Sequence, residues 1–222
     1  MSKVVLAIII ILVVITAPIW LFILYFLMSS LYSTNDVTSM AERLNQPWIC
    51  YFAPFDQNCG TELPCRKPEV CFNNFAVKNK NYKACDYISV GGLSADKANI
   101  DLRNQCYLAS GAPLRETAKK CFDISERESW SRGDCFGFFA TQLKDQEVCQ
   151  GIEDGEIRAR CYLTYVKKIF NPDPNICAQV LPAKYIDDCY LQIAWNKKDL
   201  SLCQKIKDPE TVKFCKNEIL ND

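Results

Sequence analysis

Fourteen cysteines, all from Cys50 onward, constrain this chain more than any other feature, because no two are closer than six positions and no C-x-x-C occurs. Zinc and iron–sulfur sites take their ligands from closely spaced pairs, often with histidine, and this chain has no histidine. Zinc fingers, haem attachment, iron–sulfur clusters and thioredoxin-like redox motifs therefore lose a ligand or a spacing they need. No metal ligand set and no cofactor is expected. The remaining use of so many cysteines is disulfide bonding, which belongs to an oxidising compartment.

Setting the chain on alternate cysteines exposes five copies of one unit: "CFNNFAVKNKNYKACDYI" from Cys71, "CYLASGAPLRETAKKCFDI" from Cys106, "CFGFFATQLKDQEVCQGI" from Cys135, "CYLTYVKKIFNPDPNICAQV" from Cys161 and "CYLQIAWNKKDLSLCQKI" from Cys189. A sixth start, "CKNEIL", follows at Cys215. An aromatic stands directly after each first cysteine (Phe72, Tyr107, Phe136, Tyr162, Tyr190), and five positions after it the residue is never bulky (Ala76, Gly111, Ala140, Val166, Ala194). With Phe75, Phe139, Tyr165 and Ile193 one place earlier, these positions form a helical face, not the alternation of a strand. Asn81, Thr117, Asp145, Asp173 and Asp199 precede the second cysteine by four positions and read as N-caps of a short second helix. Asp154, Asp208 and a Ser125/Glu128 capping box mark starts of the next long helix. The spacing thus predicts an all-α fold, a Cys-rich α-solenoid of about five helical-hairpin repeats over 71–222, each burying its face against its neighbours.

Two pairing registers fit. Each short-helix cysteine bonds either back to its own long helix or forward to the next. Forward pairing joins Cys85 to Cys106, Cys121 to Cys135, Cys149 to Cys161, Cys177 to Cys189 and Cys203 to Cys215, leaving Cys50, Cys59, Cys65 and Cys71 to pair among themselves. Backward pairing strands Cys215, so parity favours the forward register without proving it.

Ahead of the repeats, Val4 to Met28 is a run of 25 residues without a charge. As a helix it would reach roughly 37 Å, against a hydrocarbon core of about 30 Å, and it is longer than a secretory leader's apolar region. Residues 1–32 are therefore expected to be a retained transmembrane signal anchor, with a cleaved leader as the alternative. Lys3 precedes the run and no Lys or Arg follows before Arg43, which places the N-terminus in the cytoplasm and the C-terminal domain outside it. The expected localisation is a cell membrane, crossed once. Residues 33–70 are expected to form a juxtamembrane helix and a Pro/Cys-rich capping segment, in which Trp48, Tyr51, Phe52 and Phe55 stand among four prolines.

Those four aromatics, with Trp130 and Trp195 on long helices, are the candidate partner-binding residues; packing in the core is the competing role for each. A nucleophile with a base, a paired-carboxylate site and a Gly-rich phosphate loop are all missing from the sequence, so no catalytic residue, cofactor-binding residue or small-molecule substrate is inferred. The formal charge of zero gives no reason to expect a nucleic acid partner.

In general plan the Cys71 to Asp222 region resembles disulfide-stapled tetratricopeptide-like repeat proteins exported by bacteria. The repeat length, the Gly, Tyr and Ala spacing and the close intra-hairpin cysteine pair of that family are not reproduced, so no functional residue is carried over. The resemblance implies a curved helical surface suited to binding a protein or peptide. The functional expectation is a membrane-anchored extracytoplasmic binding or scaffold protein, with a structural subunit of a surface layer or filament as the alternative and a thiol/disulfide redox protein as a third reading.

Overall fold

Every regular element among the described residues is helical, and no strand occurs there. The computed structural model describes residues 33–53, 67–90 and 97–221, and the chain divides into two units, Met1–Ile88 and Ser89–Asp222. The expected membrane span lies outside the described residues; within them no helix is long and apolar enough to cross a membrane.

In the first unit α1 (Thr34–Leu44) opens on a capping box. Ser33 Oγ accepts from the Asp36 N–H at 3.3 Å, and Asp36 Oδ2 accepts from the Ser33 N–H at 2.9 Å. The helix ends at Asn45 in the left-handed region (φ 50°), and the Gln46 N–H closes on the Ala41 carbonyl at 3.0 Å. A 3-10 helix, Pro47–Phe52, then carries Cys50, which is bonded to Cys71 of α2 (Lys67–Asn79). The second copy of this pattern follows at once. Lys80 is left-handed (φ 49°), the Asn81 N–H reaches the Ala76 carbonyl at 2.9 Å, and the 3-10 helix Tyr82–Tyr87 carries Cys85.

Residues 33–53 are therefore a repeat in their own right, with Ala41 and Val37 buried where later copies have Ala76 and Phe72. Asp36 occupies the place of the first cysteine, so an alignment built on cysteines passes over this copy. The Cys50–Cys71 bridge and an ion pair from Lys78 to Glu42 at 2.5 Å tie the Cys71 copy to this segment. Both belong to the unit Met1–Ile88. Cys59 and Cys65 lie outside the described residues.

The second unit holds α3 (Lys97–Ala109), α4 (Ser129–Leu143), α5 (Gly155–Lys168), α6 (Ile186–Lys197) and α7 (Pro209–Asn221), each long helix packing on the next in chain order. Between them run short segments that carry the second cysteines: Leu114–Thr117 continuing into Ala118–Asp123, then Glu147–Gln150, Pro174–Gln179 and Leu200–Cys203. The bridges are Cys121–Cys135, Cys149–Cys161, Cys177–Cys189 and Cys203–Cys215, so each short segment is bonded forward to the next long helix. Cys85 and Cys106 are also disulfide-bonded. The repeated aromatics Tyr107, Phe136 and Tyr162 are buried with Ala140, Val166 and Ala194, while Tyr190 is half-buried.

Each of two bridges has a polar companion that the cysteine alignment did not expose. Arg132 stands three positions before Cys135, and its Nε donates to the Ile124 carbonyl at 3.1 Å. Arg158 stands likewise before Cys161 and donates to the Ile152 carbonyl at 3.0 Å. Both carbonyls belong to the residue three positions after the partner cysteine. A guanidinium thus satisfies the backbone of the short segment beside the disulfide that holds it.

The closest helix contact lies between α4 and α5. A Cβ added to Gly133 would meet the Arg160 Cβ at 2.5 Å, and one added to Gly137 would meet the Thr164 Cβ at 2.5 Å. Gly133 and Gly137 are four positions apart, as are Arg160 and Thr164, so one helical row sits on another.

The second copy departs from the expected stripe. Here α3 ends at Ala109, and Gly111 is an exposed turn residue at φ 78° that ends the helix instead of packing within it. Thr117 stands at the N-cap position of the 3-10 helix that carries Cys121 but makes no side-chain bond to it: Pro113 starts a helical turn earlier, and the Thr117 hydroxyl donates to the Pro113 carbonyl at 3.0 Å. Asn81 stands at the N-cap position without a side-chain bond. The Ser125/Glu128 capping box does not form: a 3-10 turn, Glu126–Glu128, intervenes, the Ser125 hydroxyl oxygen accepts from the Arg127 N–H, and the Glu128 N–H goes to the Ser125 carbonyl. Asp145, Asp173 and Asp199 do accept from the N–H two residues on, at 2.9, 3.0 and 2.9 Å. Asp154 caps α5 through Glu156 and Ile157, and Asp208 accepts from the Thr211 N–H at 2.8 Å.

Lys80, Lys144 and Lys198 all occupy the left-handed turn where glycine is the usual residue. Lys144→Gly relieves a Cβ conflict of about 1 kcal/mol and should raise the denaturation midpoint slightly. A clear loss of stability in urea titration would show that the lysine side chain compensates for its backbone.

Hydroxyl hydrogen bonds from Ser33, Ser201 and Thr211, then backbone N–H groups, hold Asp36, Asp199 and Asp208 below the usual carboxylate range. A carboxylate depressed on folding stabilises the native state above its unfolded pKa, and that contribution disappears as pH falls through the folded value. Stability is expected to be level near neutrality and to decline once pH falls below about 4. NMR titration should give these three carboxyls midpoints below those of free peptides; free-peptide midpoints would contradict the capping.

Candidate functional site

Of the described aromatic candidates, three lie together in the first unit and two lie apart in the second. Trp48, Tyr51 and Phe52 share the 3-10 helix Pro47–Phe52, whose proline at the first position starts the turn without needing an N–H partner. Trp48 is half exposed, meets Phe52 edge-on at 6.1 Å and donates its indole N–H to Gln46 Oε1 at 3.1 Å. Tyr51 meets Phe72 edge-on at 5.0 Å and Tyr87 at 6.1 Å, and Phe72 stacks on Tyr87 at 5.2 Å. Tyr51 and Phe72 directly follow the bonded Cys50 and Cys71, and Trp48, Tyr51 and Tyr87 are exposed. Phe122 and Phe136 repeat the edge-on contact at 4.9 Å beside Cys121–Cys135, so part of this aromatic surface serves the repeat itself. Phe55 lies outside the described residues.

Trp130 sits in the first turn of α4, exposed, with the Arg160 guanidinium 4.5 Å from its ring centre. Arg160 holds Asp134 by two bonds, Nε to Oδ1 at 2.7 Å and Nη2 to Oδ2 at 3.1 Å, and Thr164 Oγ1 donates to the same Oδ1 at 2.6 Å. This network crosses the α4/α5 contact directly above the glycine row. Trp195, in the last turn of α6, is exposed and has no ring partner among the described residues. The structure thus groups Trp48, Tyr51 and Phe52 on one short helix and gives Trp130 and Trp195 separate surroundings.

Phe170 is the most exposed of the aromatics among the described residues that the repeat pattern did not single out. It stands in the loop after α5 and lines a shallow depression with Asn171, Asn196, Lys197, Lys198, Asp199, Leu200 and Ser201. A signal was present in the spacing. First and second cysteines are 16 positions apart in the Cys161 copy, against 14 in the Cys71, Cys135 and Cys189 copies, so this copy alone has two residues more.

Chemistry of other kinds finds little support. The twelve described cysteines are disulfide-bonded and at most 1% exposed, so none of them presents a thiolate. Among the described residues no group of three or more His, Cys, Asp or Glu could hold a metal ion. Glu156 accepts from Lys184 at 2.6 Å and from the Tyr185 hydroxyl at 2.5 Å, which holds its carboxyl below and the Lys184 amine above their usual ranges. That trio joins the start of α5 to the turn before α6 as a surface latch.

No protein-family model matches the chain, and no match is found among curated proteins or solved structures. The class defined by the fold is an all-helical, disulfide-bonded protein of repeated helix pairs.

Proposed function

We propose that this protein is an extracytoplasmic binding or scaffold module that presents a disulfide-stapled α-solenoid surface to another protein and is held at a cell membrane by residues 4–28. The observation that carries this reading is the repeated forward bridge from each short segment to the next long helix, five times among the described residues. Bridges in a fixed register stiffen a thin array whose repeats touch only their neighbours, and they require an oxidising compartment. A stiff array displaying half-exposed aromatics at several places suits recognition of a partner surface and supplies no reacting group.

Photo-crosslinking of the full-length protein in its native membrane, with benzophenone residues in turn at Trp48, Trp130 and Phe170, tests the reading. A partner peptide recurring from at least one position is expected. Crosslinks to random proteins alone would remove the binding role, and crosslinks only between copies of this chain would favour a self-assembling surface layer.

A further inference from the structure

We propose that the depression at the C-terminal ends of α5 and α6 is a docking site for an acidic segment of a partner protein that carries an apolar residue. Phe170 is the first ground. It is 97% exposed, more than any other large hydrophobic side chain among the described residues. Its loop is braced: Asn171 is left-handed at φ 53°, and Asp173 caps the following 3-10 helix through the Asn175 N–H. Asn196 Nδ2 donates to the Val166 carbonyl at 2.8 Å, which fixes the end of α6 against the end of α5. Phe170 is thus displayed from a framework, beside an exposed Leu200, and a partner's apolar side chain can cover both.

The charge around the depression selects the partner. Lys167 and Lys168 end α5, Lys197 and Lys198 end α6, and among the described residues none of these is in an ion pair. The one carboxylate in the lining, Asp199, is occupied by the Ser201 N–H and hydroxyl at 2.9 and 2.6 Å. Lysines at helix C-termini also complement the helix dipole, but that role leaves Phe170 unexplained. Lys197 and Lys198, which share the lining with Phe170 and Leu200, are complementary to an acidic sequence with one hydrophobic anchor. A recess with the polar groups of Asn171 and Ser201 in its lining fits an extended peptide better than a flat lipid surface.

This assignment rests on the reading of the protein as a binding module, and the test separates the two. The full chain carrying Phe170→p-benzoylphenylalanine is irradiated in its native membrane, alone and with Lys197→Glu/Lys198→Glu, and crosslinked peptides are sequenced. A parallel sample carries the label at Trp130. Position 170 is expected to yield one recurrent peptide rich in Asp and Glu, with its yield falling about tenfold on charge reversal. A recurrent peptide without acidic residues, lipid adducts, or a yield unmoved by charge reversal would overturn the docking site. If Trp130 captures a partner and position 170 does not, the docking site falls and the binding module stands. If neither these two positions nor Trp48 captures one, both fall.

Discussion

Gly137→Ala is expected to destabilise the second unit by about 2 to 3 kcal/mol, the range for forcing a methyl into a packed contact. The new Cβ would lie 2.5 Å from the Thr164 Cβ, 2.7 Å from its Cγ2 and 3.0 Å from the Cys161 carbonyl oxygen. The Cγ2 can turn about the Cα–Cβ bond, but the Cβ and the carbonyl oxygen move only with their backbone. The helices must separate, and the Cys149–Cys161 bridge and the Asp134, Arg160 and Thr164 network resist separation at the same place. Gly151→Ala is the control. Its nearest neighbour would be the Glu147 carbonyl at 3.9 Å, and the substitution should be neutral or slightly stabilising in the same urea titration. Equal stability of Gly137→Ala and wild type would mean that α4 and α5 do not pack as closely as described.

Removing the Cys177–Cys189 bridge as Cys177→Ala/Cys189→Ala should lower stability by about 3 kcal/mol, from closure of a loop with a separation of 12 residues. The double variant avoids the unpaired thiol that Cys177→Ser alone would leave, which should appear as mispaired dimers. The loss should be local, because α6 packs mainly on α5 and α7. Hydrogen exchange is expected to speed up in α6 and α7 while α4 stays protected, since α4 and α5 keep their glycine contact and the Cys149–Cys161 bridge still ties α5 to the short segment after α4. Unchanged exchange throughout would show that packing, not the disulfide, holds the unit together.

Much of this architecture is legible in the sequence because a disulfide needs two cysteines at fixed places in every copy, and the buried stripe follows the same register. The forward pairs, the buried Tyr107, Phe136 and Tyr162 and the caps at Asp173 and Asp199 could all be read from spacing. What escaped is of two kinds. A copy without its first cysteine, residues 33–53, has only Val37, Ala41 and a left-handed Asn45 to mark it, and such residues occur in any helix. Contacts between helices also escaped: nothing in the spacing of Gly133 and Gly137 shows that Arg160 and Thr164 pack against them. In the second copy Pro113 and Gly111 reset the local turn, which changes the roles of Thr117 and of the stripe position at Gly111 without moving a cysteine. Of the candidate site residues, Trp48, Tyr51, Trp130 and Trp195 are exposed, but no spacing rule separates a ring that braces a disulfide from one that waits for a partner.

The claim on which the rest depends is that each repeat is stapled forward to the next. Peptide mapping without reduction, on protein taken from its native source with free thiols blocked at lysis, tests it most directly. The account predicts linked peptides joining Cys50 to Cys71, Cys121 to Cys135, Cys149 to Cys161, Cys177 to Cys189 and Cys203 to Cys215. Blocked thiols at these positions, or peptides joining Cys135 to Cys149 and Cys161 to Cys177, would contradict it and remove the physical basis for an extracytoplasmic, stiffened binding surface.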